Sequence, residues 1–284
     1  MSSQPPAPAG FPGLPAYAEL HCRTNFSFQV GASHAEELVA RAHALGYSAL
    51  AITDECSVAG LVRAHAEAKK LGLKLLAGSE FVLDGGDGRF RLIALAHNLH
   101  GWGALCEFIT AGRRAAPKGE YRLAWSDVTA DRLPDCELIL APDRLTRSAI
   151  TLEALCDRLT LGRQQFGSHF WLAAELLHGL DDDLWLTMLE QASARTGVPL
   201  VAAGDVVMHV RSRKVLHDVL TAVRLGTPVA LCGFGLQPNA EAHLRPRLRL
   251  AALYPPELLA HTAVIAARCS FSLDELRYQY PMET

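Results

Sequence analysis

Histidine, aspartate and glutamate recur where apolar runs of this 284-residue chain give way to polar sequence: His21, Asp54 with Glu55, Glu80, His97, Glu175 with His178, and Asp205 with His209. Imidazoles and carboxylates are the ligands of hard and borderline divalent ions, which activate water and clamp phosphate groups. They do that chemistry only if a fold gathers them at one place. The stretch "ELHCRTNFSF", Glu19 to Phe28, sharpens the question: it carries His21-Cys22-Arg23 where a metal enzyme is expected to carry His-x-His.

The gathering elements are legible as periodicity. Strand-like runs ("YAELH", "YSALAIT", "LKLLAGSEFVL", "RFRLIALA", "CELILAP", "HFWLAAEL", "VPLVAAGD") alternate with amphipathic helical patterns. The first helix, "ASHAEELVARAHALG", has Ser33 and Glu36 at capping-box spacing and Gly46 at its end. Asp181 to Asp183 read as the start of a helix, where acidic residues suit the positive end of the dipole. "GGDG", Gly85 to Gly88, reads as a hairpin turn, because a strand follows it and a phosphate loop needs a helix there. Repeated strand–helix units predict an α/β fold with a parallel sheet under helices, and about seven of them close most economically into a barrel. Function in such barrels lies at the C-terminal ends of the strands, which is where the residues above fall. The rhythm breaks at Thr227. The predicted barrel therefore covers 17–226, between a disordered proline-rich leader (1–16) and a C-terminal extension (227–284).

A net charge of -3 gives no global signal for gripping nucleic acid. The basic clusters Arg211 to Lys214 and Arg245 to Leu250 read more simply as solvated faces or interdomain contacts than as phosphate sites. The seven cysteines are scattered and odd in number, with no Cys-x-x-Cys, which fits reduced thiols in a cytoplasmic protein. No run approaches the roughly 20 apolar residues of a membrane span, and the opening lacks the basic and apolar regions of a signal peptide. No membrane partner is expected.

From about Tyr17 onward the chain resembles the PHP domain (polymerase and histidinol phosphatase type) at the N-terminus of bacterial C-family DNA polymerases. The likeness is carried by "ELHCRTNFSFQVGASHAEELVARAHALGYSALAITDECSVAGLVRAHAEAKKLGLKLLAGSEF". "ITDEC", "KGEYRL" and "AAGDVVMHVRSRKVLHDVLTAVRLGTPV" are similar to the error-prone, damage-inducible branch, and "FSLDELRYQYP" to the passage that leads into the palm. The resemblance implies a distorted seven-stranded (β/α) barrel whose rim, in active members, holds metal ions that hydrolyse phosphoesters. It implies a parent translesion polymerase acting in DNA repair and replication with Mg. The implied partners are the palm and thumb of the same chain, translesion accessory proteins, and DNA through the parent enzyme. Residue by residue, it assigns His21, Asp54, Glu80 and Asp205 as metal ligands.

The departures weigh more than the matches. Arg23, Glu55, Arg91 and Val207 stand at positions where active members carry histidine, although glutamate at Glu55 is what the error-prone branch itself leads one to expect. A guanidinium about 4 Å from a divalent ion opposes it by roughly 8 kcal/mol, twice the unit-charge value at an effective dielectric of 20. The charged group also has no lone pair to offer as a ligand. The expectation is a vestigial site with no catalytic residue and no cofactor in this segment, residual Mn or Zn being the alternative. Arg23 is expected to pair with Asp54 or Glu55 as the counter-charge that replaces metal. His97 and His178 read most simply as polar strand-end residues, His209 as a cap or domain contact, and Cys22 and Cys56 as unactivated thiols. The expected function is a structural or partner-binding PHP domain. The alternatives are a metal-dependent phosphoesterase or 3′-5′ exonuclease, and a module that holds an anion or a protein at the rim.

Overall fold

The computed structural model describes residues 14–84, 90–143 and 149–277. Seven strands follow one another round a single curled sheet in sequence order: β1 (Ala18–Glu19), β2 (Ala49–Ile52), β3 (Lys74–Leu83), β4 (Phe90–Ala96), β5 (Cys136–Pro142), β6 (Phe170–Ala174) and β7 (Leu200–Ala202). The two ends of the sheet meet just beyond the last strand. Cys22 and Val206 form a parallel bridge there, and Arg23 N donates to Val206 O at 2.9 Å. Helices α1 (Ala35–Ala44), α2 (Leu61–Leu71), α3 (Leu99–Arg114), α4 (Leu152–Phe166) and α5 (Asp182–Thr196) connect the strands, followed by α6 (Lys214–Leu225), α7 (Arg247–Leu253) and α8 (Pro256–Arg268).

The strands are buried on both faces, as a sheet covered by helices requires. Period-2 alternation sorts them. Ala49 and Ala51 of β2, Ile93 and Leu95 of β4, and Trp171 and Ala173 of β6 fill the lumen, while Leu50, Leu92 and Leu172 face the helices. The helix faces match. In α4, Leu155, Leu159, Gly162 and Phe166 are buried, and a Cβ on Gly162 would stand 2.2 Å from the Phe170 ring, so glycine there sets how closely helix and strand approach.

β4 departs from the parallel expectation. It runs antiparallel to both neighbours, with Arg91 beside Val82 and Ala141 at the top and Ala96 beside Cys136 at the bottom. Its antiparallel course makes β4 present its first residues, not its last, to the rim. Residues 85–89, "GGDG" among them, lie outside the described residues.

The extension expected from Thr227 packs into the barrel. Ile265, Ala266 and Cys269 of the α8 region join the lumen cluster from below. Thr262 Oγ1 accepts from Ala18 N at 3.0 Å, and Lys74 Nζ donates to Ala266 O at 2.6 Å, so α8 closes the end where the parallel strands begin. Arg245 is 1% exposed and donates to Leu176 O at 2.7 Å. Of the leader, residues 1–13 lie outside the described residues; the carbonyls of Leu14 and Pro15 accept from Arg247 at 2.6 Å each. Both basic clusters are engaged within the chain: Arg213 pairs with Glu37 and Arg249 with Glu241. The cap of α1 falls one residue later than its spacing suggests, at His34 with Glu37, because the Ser33 hydroxyl is taken by His209 at 2.8 Å.

Candidate functional site: an ion-paired rim

His21 stands at the centre of the rim, wholly buried. Its Nδ1 is 2.6 Å from Glu175 Oε1, and its Nε2 lies against Glu80 Oε2. A carboxylate can only accept, so both ring nitrogens donate and the ring is an imidazolium. Burial opposes that charge, but Glu175 and Glu80 outweigh it and raise the His21 pKa to about 10.

Arg23, two residues on, is 4% exposed and reaches across the rim. One terminal nitrogen bonds Asp205 Oδ1, and the other lies 3.4 Å from Glu80 Oε1. Arg91 enters from the reversed strand β4, with Nη1 3.2 Å from Asp205 Oδ1 and Nη2 3.5 Å from Asp143 Oδ2. Burial raises the Glu80 carboxyl, yet Arg23, Arg91 and His21 together bring its pKa down to about 2. Three cations thus interleave with Glu80, Glu175, Asp205 and Asp143. Asp205 has φ +45°, a left-handed conformation that aspartate tolerates better than most residues and that turns its carboxylate inward after β7.

Asp54 and Glu55 are engaged elsewhere, which corrects the expected partners of Arg23. Asp54 accepts from Thr24 N at 2.8 Å, Thr24 Oγ1 at 2.9 Å and Ser27 Oγ at 2.7 Å. Burial raises its pKa, against the pull of those donors. Gly60 lies so close that a Cβ there would be 2.3 Å from Asp54 Oδ2. Glu55 accepts from the Tyr121 hydroxyl at 2.8 Å. Arg23 passes both and goes to the far side of the rim, because the loop from Thr24 to Ser27 has already wrapped Asp54 in neutral donors.

His97 is not at the rim. Because β4 runs downward, His97 lies at the opposite end of the barrel, with Nε2 3.0 Å from the buried Glu137; His169 Nδ1 at 2.7 Å and Arg268 Nη1 at 3.1 Å reach the same Glu137 oxygen. His178 is exposed, and His209 bonds Ser33. Val207 is 1% exposed and apolar, leaving nothing to coordinate at that position. Cys22 and Cys56 are buried, and burial, the first cause for each, pushes their thiols up, Cys56 to about 11. Sequence reasoning passed over Asp143, which directly follows the β5 run. It also passed over His217 and Thr221, one helical turn apart on α6, whose buried side faces the rim.

Could this donor set hold a metal? His21, Glu175 and Asp205 offer ligand atoms within 4.8 Å of one another, as do His97, Glu137 and His169 below. Both groups fail the chemical test as arranged. His21 has no free lone pair, and guanidinium groups occupy the Asp205, Glu80 and Glu137 oxygens.

Residues 19–142 match the family described as PHP domain. The chain is 50% identical over 286 aligned residues to an error-prone DNA polymerase of Bordetella parapertussis, and 52% identical over 274 to one of Dechloromonas aromatica. Each alignment takes in 95% of this chain and 26% of the relative, so the chain spans about a quarter of the length of the curated relatives it matches. A crystal structure of a candidate metal-dependent phosphoesterase from Bifidobacterium adolescentis superposes with TM-score 0.51 at 16% identity, covering 68% of this chain and 88% of its own, a likeness of fold.

Proposed function

From a chain that carries a PHP domain of the kind found in error-prone DNA polymerases, we propose that the domain is a structural and docking module of such a polymerase. Its rim is held together by guanidinium in place of metal, and it has no phosphoesterase activity of its own. One observation carries this reading: Arg23 bonds Asp205 with one nitrogen and approaches Glu80 with another, on two of the carboxylates a metal would need. Arg91 adds a second guanidinium on Asp205.

The docking half rests on α6, whose polarity is inverted. His217, Thr221 and Ala222 are its buried residues, while Val215, Val219 and Val223 are 73%, 44% and 59% exposed. The turns after it add Leu231 and Phe234, at 75% and 103%. A contiguous apolar face of this kind marks an interaction surface. The occupant we assign is another domain of the same polypeptide, in the part of the relatives' length that this chain does not span. The polymerase so assembled would extend a primer across damaged template with Mg, using residues outside this segment.

Elemental mass spectrometry after equilibration with manganese and zinc and removal of the excess tests the reading. We expect less than roughly a tenth of an equivalent of either metal, because metal must displace both a proton and a guanidinium. A stoichiometric equivalent would overturn the proposal. It would favour the second reading, a metal-dependent phosphoesterase or 3′-5′ exonuclease, for which the convergence of His21, Glu175 and Asp205 speaks.

A further inference from the structure

The register between β6 and β7 ends at Ala174 and Ala202, short of the rim residues Glu175 and Asp205. Past that point, two side chains from the segment after Thr227 satisfy backbone groups of both strand ends. Tyr254, the residue after α7, is buried; its hydroxyl donates to Ala203 O at 2.9 Å and accepts from Leu176 N at 3.0 Å. Arg245 donates from one terminal nitrogen to Leu176 O at 2.7 Å, and the other lies 3.4 Å from the Tyr254 hydroxyl. A phenol offers one proton and two lone pairs, so the Tyr254 hydroxyl is fully used. Glu19 acts from the β1 side: its Oε1 accepts from His21 N at 3.0 Å and from Gly204 N at 2.9 Å.

These contacts fall directly beside the rim. Leu176 follows Glu175, which meets His21 Nδ1, and Ala203 and Gly204 precede Asp205, which meets Arg23 and Arg91. Among the described residues the hydrogen bonds of the Arg245 guanidinium go to neutral groups, and a charge buried in that way is costly. What arginine adds over an apolar side chain is a rigid fork that spans the Leu176 carbonyl and the Tyr254 hydroxyl. We infer that Arg245 and Tyr254 are positioning residues of the rim: they fix the backbone that carries Glu175 and Asp205, and so hold these carboxylates against His21 and Arg23. The inference rests on the ion-paired rim proposed above and deepens it by naming what controls its geometry. A partner that displaces α7 loosens Glu175 and Asp205 together, since the Tyr254 hydroxyl touches both strand ends.

Nuclear magnetic resonance of the whole chain with isotope-labelled histidine tests this. In the native chain both ring protons of His21 should give resonances protected from water, because each is buried against a carboxylate. Tyr254→Phe keeps the aromatic ring and removes the hydroxyl. It should shift the Nδ1 proton, which faces Glu175, more than the Nε2 proton, which faces Glu80 of β3. It should also speed exchange of the Nδ1 proton with water about tenfold, the worth of one hydrogen bond. Arg245→Lys, which keeps the charge without the fork, should shift the same proton. Glu137→Gln, at the opposite end of the barrel, should leave both resonances in place, which separates positioning from a general loss of stability. Circular dichroism checks that each variant is folded. His21 resonances unmoved by Tyr254→Phe and Arg245→Lys, or moved as much by Glu137→Gln, would overturn the inference and leave the ion-paired rim standing. A native His21 with only one protected ring proton would overturn that rim, and the inference with it.

Discussion

Arg23→Met keeps most of the side chain's length and removes its charge, which isolates the contribution of the guanidinium. The variant retains His21 on Glu80 and Arg91 on Asp205, but both carboxylates lose one of the cations that face them. At the 3.4 Å of the Arg23–Glu80 contact, the attraction of unit charges is about 5 kcal/mol at an effective dielectric of 20. Desolvation offsets much of that in the intact pair. Truncation leaves the desolvated carboxylates behind, and removing one partner of a buried pair costs about 3–5 kcal/mol. At about 2–4 °C per kcal/mol, Tm should fall by roughly 6–20 °C.

The pH dependence of that loss has a definite sign. In the native rim the Glu80 pKa is lowered to about 2, so its contribution is complete above the ordinary carboxylate range and fades as pH falls toward 2. In the variant, burial with less compensation moves the folded carboxyl pKa upward, and its penalty fades as pH drops from 7 to 5. Thermal unfolding at pH 7, 6 and 5 should therefore show the gap between native and variant narrowing. A second substitution, Asp205→Asn, suits the left-handed backbone there and should show coupling of at least about 1 kcal/mol with Arg23→Met. A Tm loss under about 2 °C, a gap indifferent to pH, or additive effects would refute the idea that Arg23 is the rim's counter-charge.

Two further outcomes follow from other parts of the molecule. Glu137 is raised by burial but brought to about 2 by hydrogen bonds from His97, His169, Trp171 and Arg268, so its contribution is present above the ordinary carboxylate range and lost as pH falls toward 2. Glu137→Gln should lower stability at pH 7 by about 1–3 kcal/mol and flatten that acid loss, as read by urea denaturation between pH 6 and pH 3. On α6, Val219→Glu with Val223→Lys should leave the Tm of the segment nearly unchanged, because both side chains are exposed. Within a full-length polymerase the same pair should expose the junction to limited proteolysis, and an unchanged digestion pattern would remove α6 as the docking face.

Much of the architecture is written in the periodicity. The seven strands fall inside their expected runs, since fully buried strands and amphipathic helices have different apolar periods. Strand direction is another matter. "RFRLIALA" reads the same upward or downward, and only the hairpin reading of "GGDG" implies that β4 descends. Carried through, that reading moves His97 to the floor and brings Arg91 to the rim. Short turns and helices follow α6, yet nothing in α8's spacing tells that Ile265 and Ala266 fill the lumen, because packing against a barrel's floor leaves the same stripe as packing against its wall. The partners of Arg23 were also beyond reach of spacing. Asp54 is nearer in type and motif, but Thr24 and Ser27 satisfy it locally, and an arginine side chain spans the rim.

On the reading proposed above, arginine stands in place of a divalent ion, which exchanges a point charge for a planar one. A metal draws ligands from all sides to about 2 Å, whereas a guanidinium bonds carboxylates through its edges and leaves the remaining edge to whatever lies there. Arg23, which follows β1, and Arg91, on β4, converge on the same Asp205 oxygen. On the reading proposed above, the exchange is hard to reverse in one step. Restoring histidine at either position alone leaves the other guanidinium on Asp205, opposing a divalent ion by roughly 8 kcal/mol at 4 Å, while His21 stays protonated between Glu80 and Glu175. On that reading, metal binding requires both arginines to be replaced.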